Sequence, residues 1–323
     1  MKPVRLMRVL VASAGIAVSA PAPAQTFPGK PVRIVVPFAA GGATDIITRI
    51  LAQKLNETWR QSVLVENRGG AAGNIGAAEV ARAAADGYTL LMTSGSIVSA
   101  NQHIYRNMGF DPQKDLAPIT GVASGPQVVV VHPDFPAQSL KALIDLAKAK
   151  PGSLNYGHAG IGSQTHLAAE NLLYTAKIDM INIPYKGEGP AVTDLVAGQI
   201  NMVTSNLPAA IGFIQQGRLR ALAVTSRARI DQLPGVSAAA ETLPGFENLG
   251  WFGLMAPSGT PKGVIEKIHR DTAGVLDTTD MRARLFVQGM GPMVNTPEQF
   301  AKLIRDDTAR WAKVVKERKI EVK

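Results

Sequence analysis

Val35-Val36-Pro37-Phe38-Ala39-Ala40-Gly41-Gly42-Ala43-Thr44-Asp45 and, far downstream, Asn155-Tyr156-Gly157-His158-Ala159-Gly160-Ile161-Gly162-Ser163-Gln164-Thr165-His166 follow one plan. Each reads as a short strand, a glycine-rich loop and a helix that opens with hydroxyl or amide residues. A helix start exposes unpaired N–H groups and carries roughly half a positive charge from its macrodipole, so it attracts anions. Glycines let the backbone approach a ligand with no Cβ in the way. Ser163, Thr165 and Thr44 add hydroxyl donors. The same residues also suit plainer roles: Gly-Gly before a helix is commonly a tight turn, and Thr44 or Ser163 can simply be an N-cap. Two such units in two lobes would turn two helix starts toward one cleft.

Outward from these stretches the chain alternates. Pro31 to Pro37 is a β-branched run closed by proline, hence a buried strand. Ile46, Ile47, Ile50, Leu51 and Leu55 share one helical face. Val63 to Val65 is a strand, Ile75 to Ala84 a helix, and Asp86-Gly87 turns into a strand over Tyr88 to Met92. The pattern restarts with a strand at Val128 to Val131, a helix at Leu140 to Ala149 and a stop at Pro151-Gly152. A helix over Ser163 to Thr175 follows, then strand Met180 to Ile183, helix Gly189 to Ala197, and strands Ile200 to Val203 and Leu222 to Thr225. From Pro261 onward the chain is helix-rich, with Pro261 and Pro297 at helix starts. This alternation predicts parallel sheets built of βαβ units.

The beginning of the chain reads as an address. Lys2, Arg5 and Arg8 precede an apolar run from Val9 to Ala20, and Ala22-Pro23-Ala24 has the small-x-small pattern of a signal-peptidase site. Residues 1–24 are therefore expected to be removed before Gln25, in a chain bound for the periplasm. The apolar run is shorter than the ~18 residues a membrane span needs. The chain holds no cysteine, which excludes a lipid anchor at that site, cysteine nucleophiles, thiolate metal sites and disulfides. Without the three basic residues of the address, the formal charge of +9 falls to +6. A moderate positive excess suits anionic small molecules, although scattered lysines give the same sum.

Taken together, the stretches resemble the Bug family of periplasmic receptors, the solute-binding components related to tripartite tricarboxylate transporters. The matching residues run from Lys30-Pro31-Val32-Arg33-Ile34-Val35-Val36-Pro37-Phe38 and Gly41-Gly42-Ala43-Thr44-Asp45 through Val65-Glu66-Asn67-Arg68 and Asp86-Gly87-Tyr88-Thr89-Leu90. They continue with Leu154-Asn155-Tyr156-Gly157, Gly162-Ser163, His166-Leu167-Ala168, Ile183-Pro184-Tyr185-Lys186-Gly187 and Leu219-Arg220-Ala221-Leu222-Ala223-Val224-Thr225. Trp251-Phe252-Gly253, Ala256-Pro257 and Gly259-Thr260-Pro261 complete the set.

The resemblance implies an α/β, two-lobed type II periplasmic-binding-protein (Venus flytrap) fold, each lobe a mixed sheet flanked by helices. Residues 26–125 with 249–323 are expected to form lobe one and residues 126–248 lobe two, hinged near Gly125-Pro126 and Gly245 to Trp251. It implies that Phe38, Gly41, Gly42, Thr44 and Asp45 from lobe one, and Gly160, Gly162, Ser163, Gln164 and Thr165 from lobe two, hold a carboxylate. Thr93, Ser94 and Ser96 are expected to line the same cleft, with Lys186-Gly187 on another loop. Two positions depart from the family: His158 stands where serine is common, and Ser205-Asn206-Leu207-Pro208 has serine in place of an aspartate. Loss of that acid favours a dicarboxylate or an aromatic acid over an amino acid as ligand.

The expected partners are the small carboxylate and the permease subunits of a tripartite tricarboxylate transporter; the alternative is a membrane sensor kinase that reads the closed form. A monomer is expected, with no cofactor and no catalytic role. There is no Gly-x-Ser-x-Gly, His-Glu-x-x-His or P-loop. His166 with Glu170 is a close His–carboxylate pair, too few donors for a metal. The enzyme porphobilinogen deaminase shares the type II fold but holds its cofactor through a cysteine, which this chain lacks. Aromatic content of 5% and dispersed charge argue against nucleic acid. Lys313, Lys316, Arg318 and Lys319 are read as the solvated end of the last helix.

Overall fold

The computed structural model describes residues 27–318, 320 and 321; the expected signal peptide and Lys319 lie outside the described residues. The chain runs β1 (Val32–Val36), α1 (Ala43–Trp59), β2 (Val63–Asn67), α2 (Asn74–Ala81), β3 (Thr89–Ser94), α3 (Gly95–Ser99) and β4 (Leu116–Val131). It continues α4 (Leu140–Ala149), β5 (Asn155–His158), α5 (Gln164–Ala176), β6 (Ile181–Pro184), α6 (Glu188–Val196), β7 (Met202–Asn206), α7 (Leu207–Gln215) and β8 (Arg220–Val224). The last elements are β9 (Leu249–Pro257), α8 (Lys262–Asp277), α9 (Thr279–Val287), β10 (Gly291–Pro292) and α10 (Pro297–Arg318).

Strand alternation builds both lobes. Successive side chains of a strand point to opposite faces, so a continuous apolar run can fill two cores at once. Ile34, Leu90, Met92 and Leu254 face α1, α8 and α9, while Val35, Leu91 and Met255 face α2, α3 and α10. In the second lobe Val129 and Val131 pack toward α4 and α5, and Val128 and Val130 toward α6 and α7.

The sheets are parallel only in part. β1 pairs in parallel with β2 and β3, and β5 with β6 and β7. By contrast β9 runs antiparallel to β3 and β4, and β4 antiparallel to β7 and β8. The reason is β4 itself, a strand of 16 residues that belongs to both lobes. It pairs with β9 as far as Pro126↔Leu249 and with β7 from Gln127↔Asn206. At that change of partner, the buried Gln127 donates its N–H to Thr225 Oγ1 at 2.7 Å and accepts from Asn248 Nδ2 at 3.0 Å. The sequence pattern also missed α7, whose Pro208 occupies the first turn, where the absent N–H costs nothing.

The glycine loop after β5 is braced from beneath by two imidazoles. His158 and His166 have ring centroids 4.4 Å apart, with Tyr156 stacked alongside. His158 Nδ1 accepts from the Gly160 N–H and His166 Nδ1 from the Gly162 N–H, each at 3.2 Å. His158 is fully buried and faces this interior, which corrects its sequence-based placement in the cleft. Burial lowers His158 to about 4, and burial reinforced by the His158 ring lowers His166 to about 3. Both are neutral when folded but take up protons near pH 6.5 when unfolded. Their stabilisation is therefore complete above about pH 6.5 and is lost as pH falls toward 4. We expect the unfolding free energy obtained from urea titration to drop over that range, by on the order of 2 kcal/mol per histidine at pH 5. His166→Gln should remove about one proton from the slope of stability against pH.

Candidate ligand-binding site

Helix starts from both lobes converge at the cleft. The N-cap of α1 is Gly42, with no side-chain cap; that of α5 is Ser163, whose Oγ accepts the His166 N–H; and that of α7 is Asn206. Phe38, Gly42, Thr44, Ser94, Ala159, Ser163, Gln164, Thr165, Glu188, Asn206 and Phe252 line a narrow cavity of about 20 Å³, room for about one water molecule. The N–H groups of Thr44 and Asp45 in α1, and of Gln164 and Thr165 in α5, have no hydrogen-bond partner among the described residues. The lining contains no lysine or arginine, so the positive potential here comes from oriented backbone dipoles.

Of the residues nominated from sequence, Phe38, Gly42, Thr44, Ser94, Ser163, Gln164, Thr165 and Asn206 line this cavity. Asp45 lies at the same helix start, but its carboxylate is committed to the loop. It accepts from Gly41 N–H at 3.1 Å, Arg49 Nε at 3.0 Å and Asn67 Nδ2 at 3.0 Å. Burial pushes this carboxyl up, yet the Arg49 and Gly41 bonds outweigh it and hold it below the ordinary carboxylate value. Ser96 belongs to an adjoining pocket with Gln127, Gln164 and Trp251. Thr93 lines neither space, because its hydroxyl turns back to the Ser94 carbonyl at 3.0 Å.

Five more nominated residues belong to the seam between the lobes. The Lys186 side chain is exposed, and its carbonyl accepts the Ala39 N–H at 3.2 Å. Gly187 packs so closely on Ala39 that a Cβ would lie 2.7 Å from the Ala39 nitrogen, and Gly160 lies against Ala72. Gly41 is exposed beneath Gly189. Gly162 packs on Asn101 and Ile104. Further contacts close the far side: Tyr105 OH donates to the Ile161 carbonyl at 2.7 Å, and Gln164 Nε2 to the Trp251 carbonyl at 2.8 Å. Arg318, expected at a solvated helix end, instead donates to Asn171 Oδ1 at 2.8 Å and lies over the Tyr174 ring. The last helix is long enough to reach across to α5.

Glu188 was not foreseen. It occupies the first turn of α6 and is buried. Its Oε2 accepts the Ala43 N–H at 3.0 Å, and its Oε1 accepts Ser205 Oγ at 2.8 Å and the Asn206 N–H. Asn206 Nδ2 lies 3.3 Å and 3.4 Å from its two oxygens. Burial raises this carboxyl above its ordinary value, and the four donors restrain that rise. Ser205 therefore does not leave its surroundings free of acid, because Glu188 brings a carboxylate to it. The reading of Ser205 from sequence did not include this second acid. In the sequence, a glutamate in a helix first turn reads as ordinary dipole complementarity. Nothing local indicates that it faces another lobe. Ala159 and Phe252, also unforeseen, are plain core residues by pattern.

Comparison with known proteins agrees with this architecture. The profile described as tripartite tricarboxylate transporter family receptor matches residues 47–320. Protein BugT of Bordetella pertussis is 40% identical over 313 residues, 96% of this chain and 95% of its own length. The R. palustris protein Rpa4515, solved with adipate, superposes with a TM-score of 0.89 at 34% identity, covering 92% of this chain and 100% of that one. MatC from Rhodopseudomonas palustris, solved with bound malate, gives 0.83 at 32% identity, over 90% and 100%. With two lobes joined through β4 and helix starts facing one cleft, the chain belongs to the tripartite tricarboxylate transporter receptor family of periplasmic solute-binding proteins.

Proposed function

We propose that this receptor captures a small carboxylate, either a dicarboxylate or an aromatic acid, between its lobes and delivers it to membrane permease subunits after export by a cleaved signal peptide. The observation that carries the reading is the pair of bare helix starts, Thr44-Asp45 and Gln164-Thr165, which present unpaired N–H groups at one cleft without a cationic side chain. Backbone donors select the planar geometry of a carboxylate and still let it depart. Phe38 and Phe252 supply apolar walls for a carbon skeleton between the polar ends. The adipate and malate held by relatives are of this class.

Capture proceeds by closure about the two chain crossings, Pro126-Gln127 and Asn248-Leu249, because a ligand bridging both lobes stabilises the closed form. Titration calorimetry with succinate, malate, adipate and benzoate tests the reading; absence of binding to all four would sink it. Proline is tolerated at the first helical position, and the extended Ser163 before it is compatible. Gln164→Pro thus removes the N–H, whereas Gln164→Ala removes only the side chain. The proline variant is expected to bind at least about tenfold more weakly than the alanine variant, the worth of one charge-assisted hydrogen bond.

The seam gives a second test of closure. A Cβ on Gly189 would lie 2.3 Å from the Ala40 carbonyl oxygen of the opposite lobe. Gly189→Ala is expected to lower thermal stability only modestly, because opening the seam relieves the clash at the cost of a few interlobe contacts, partly offset by the better helix propensity of alanine. Affinity for the same acids should fall about tenfold or more. Undiminished affinity would show that the seam does not close on ligand.

A further inference from the structure

Glu188 receives, from this protein, the set of contacts that a free carboxylate would receive. Ala43 is the first residue of α1 in one lobe, Asn206 caps α7 in the other, and both direct N–H groups at the same carboxylate. Ser205 Oγ and Asn206 Nδ2 complete the ring of donors. The remaining cavity holds about one water molecule. An acid the size of malate or adipate does not fit while the glutamate is docked and the lobes touch.

Building on the carboxylate reading of the cleft, we propose that Glu188 is a tethered occupant of the site. Its side chain holds the place of one ligand carboxylate, draws the lobes together by itself, and sets affinity by competing for Ala43, Ser205 and Asn206. The tether makes the competition effective, because a group on the same chain acts at high local concentration. Glu188, Ser205 and Asn206 all belong to the second lobe, so opening breaks the single bond to Ala43 and leaves the carboxylate at the mouth of the cleft. Incoming ligand must then displace it from Ser205 and Asn206. The apparent dissociation constant is the intrinsic one divided by the fraction of molecules in which the glutamate is undocked. Glu188 is in this sense a specificity-determining residue: acids that cannot supply a replacement for its carboxylate leave buried donors unpaired.

The test compares the parent chain with Glu188→Ala and Glu188→Gln, each unfolded, dialysed and refolded to strip bound acids. In solution scattering without added acid, Glu188→Ala is expected to have a larger radius of gyration than the parent, and adipate is expected to restore compactness. In calorimetry, Glu188→Ala should bind adipate and malate at least about tenfold more tightly, with Glu188→Gln between the two. Equal radii of parent and Glu188→Ala would overturn the proposal, as would unchanged or weaker binding of both acids. Should the alanine variant fail to fold, the near-isosteric glutamine variant decides on the same two readouts. If neither the parent nor the variants bind any acid tried, the carboxylate reading fails, while the scattering comparison still decides whether Glu188 shuts the cleft.

Discussion

A buried negative charge is tolerable only where hydrogen-bond donors surround it, and the arrangement of this protein follows from how one such charge is accommodated. The Glu188 carboxylate meets donors from two lobes, and two of them are backbone N–H groups at the starts of α1 and α7. Those starts face each other because parallel strands place the carboxyl ends of β1, β5 and β7 along one edge of each sheet, where the following helices begin. β4 then ties the two sheets into one molecule and brings the two edges together. The positive ends of helices are thus concentrated at one buried spot with no lysine or arginine among the lining residues.

That choice of charge has consequences for reversibility. A lysine would hold any anion strongly through a mobile point charge, whereas fixed amide dipoles reward a carboxylate placed at the correct angle. The scaffold around them is correspondingly rigid. His158 and His166 hold the second glycine loop from below, and Asp45 ties the first through Gly41, Arg49 and Asn67. The histidine brace is buried and the Asp45 carboxylate nearly so, which fixes the shape of both loops. The seam repeats this economy: Gly187 and Gly189 bring backbone against backbone, where any side chain would hold the lobes apart.

Much of this was written into local sequence. Strand–loop–helix units around Gly41-Gly42 and Gly160 to Ser163, and the helices of Leu140 to Ala149 and Ser163 to Thr175, are all visible in periodicity and in the placement of glycine and proline. Those signals act over a few residues and do not depend on the rest of the chain. Cavity residues carried on the two loops, such as Thr44, Ser163 and Thr165, were legible for the same reason. Tertiary structure alone decided the remainder. It made β4 a single strand shared by two sheets, turned His158 inward as a brace, and sent Arg318 across to α5. It also placed Glu188, an unremarkable first-turn acid by sequence, beside Ala43, a residue 145 positions away. Facing and burial are properties of long-range packing, and an amino acid's local pattern states what it can bond with but not what the folded chain will bring to it.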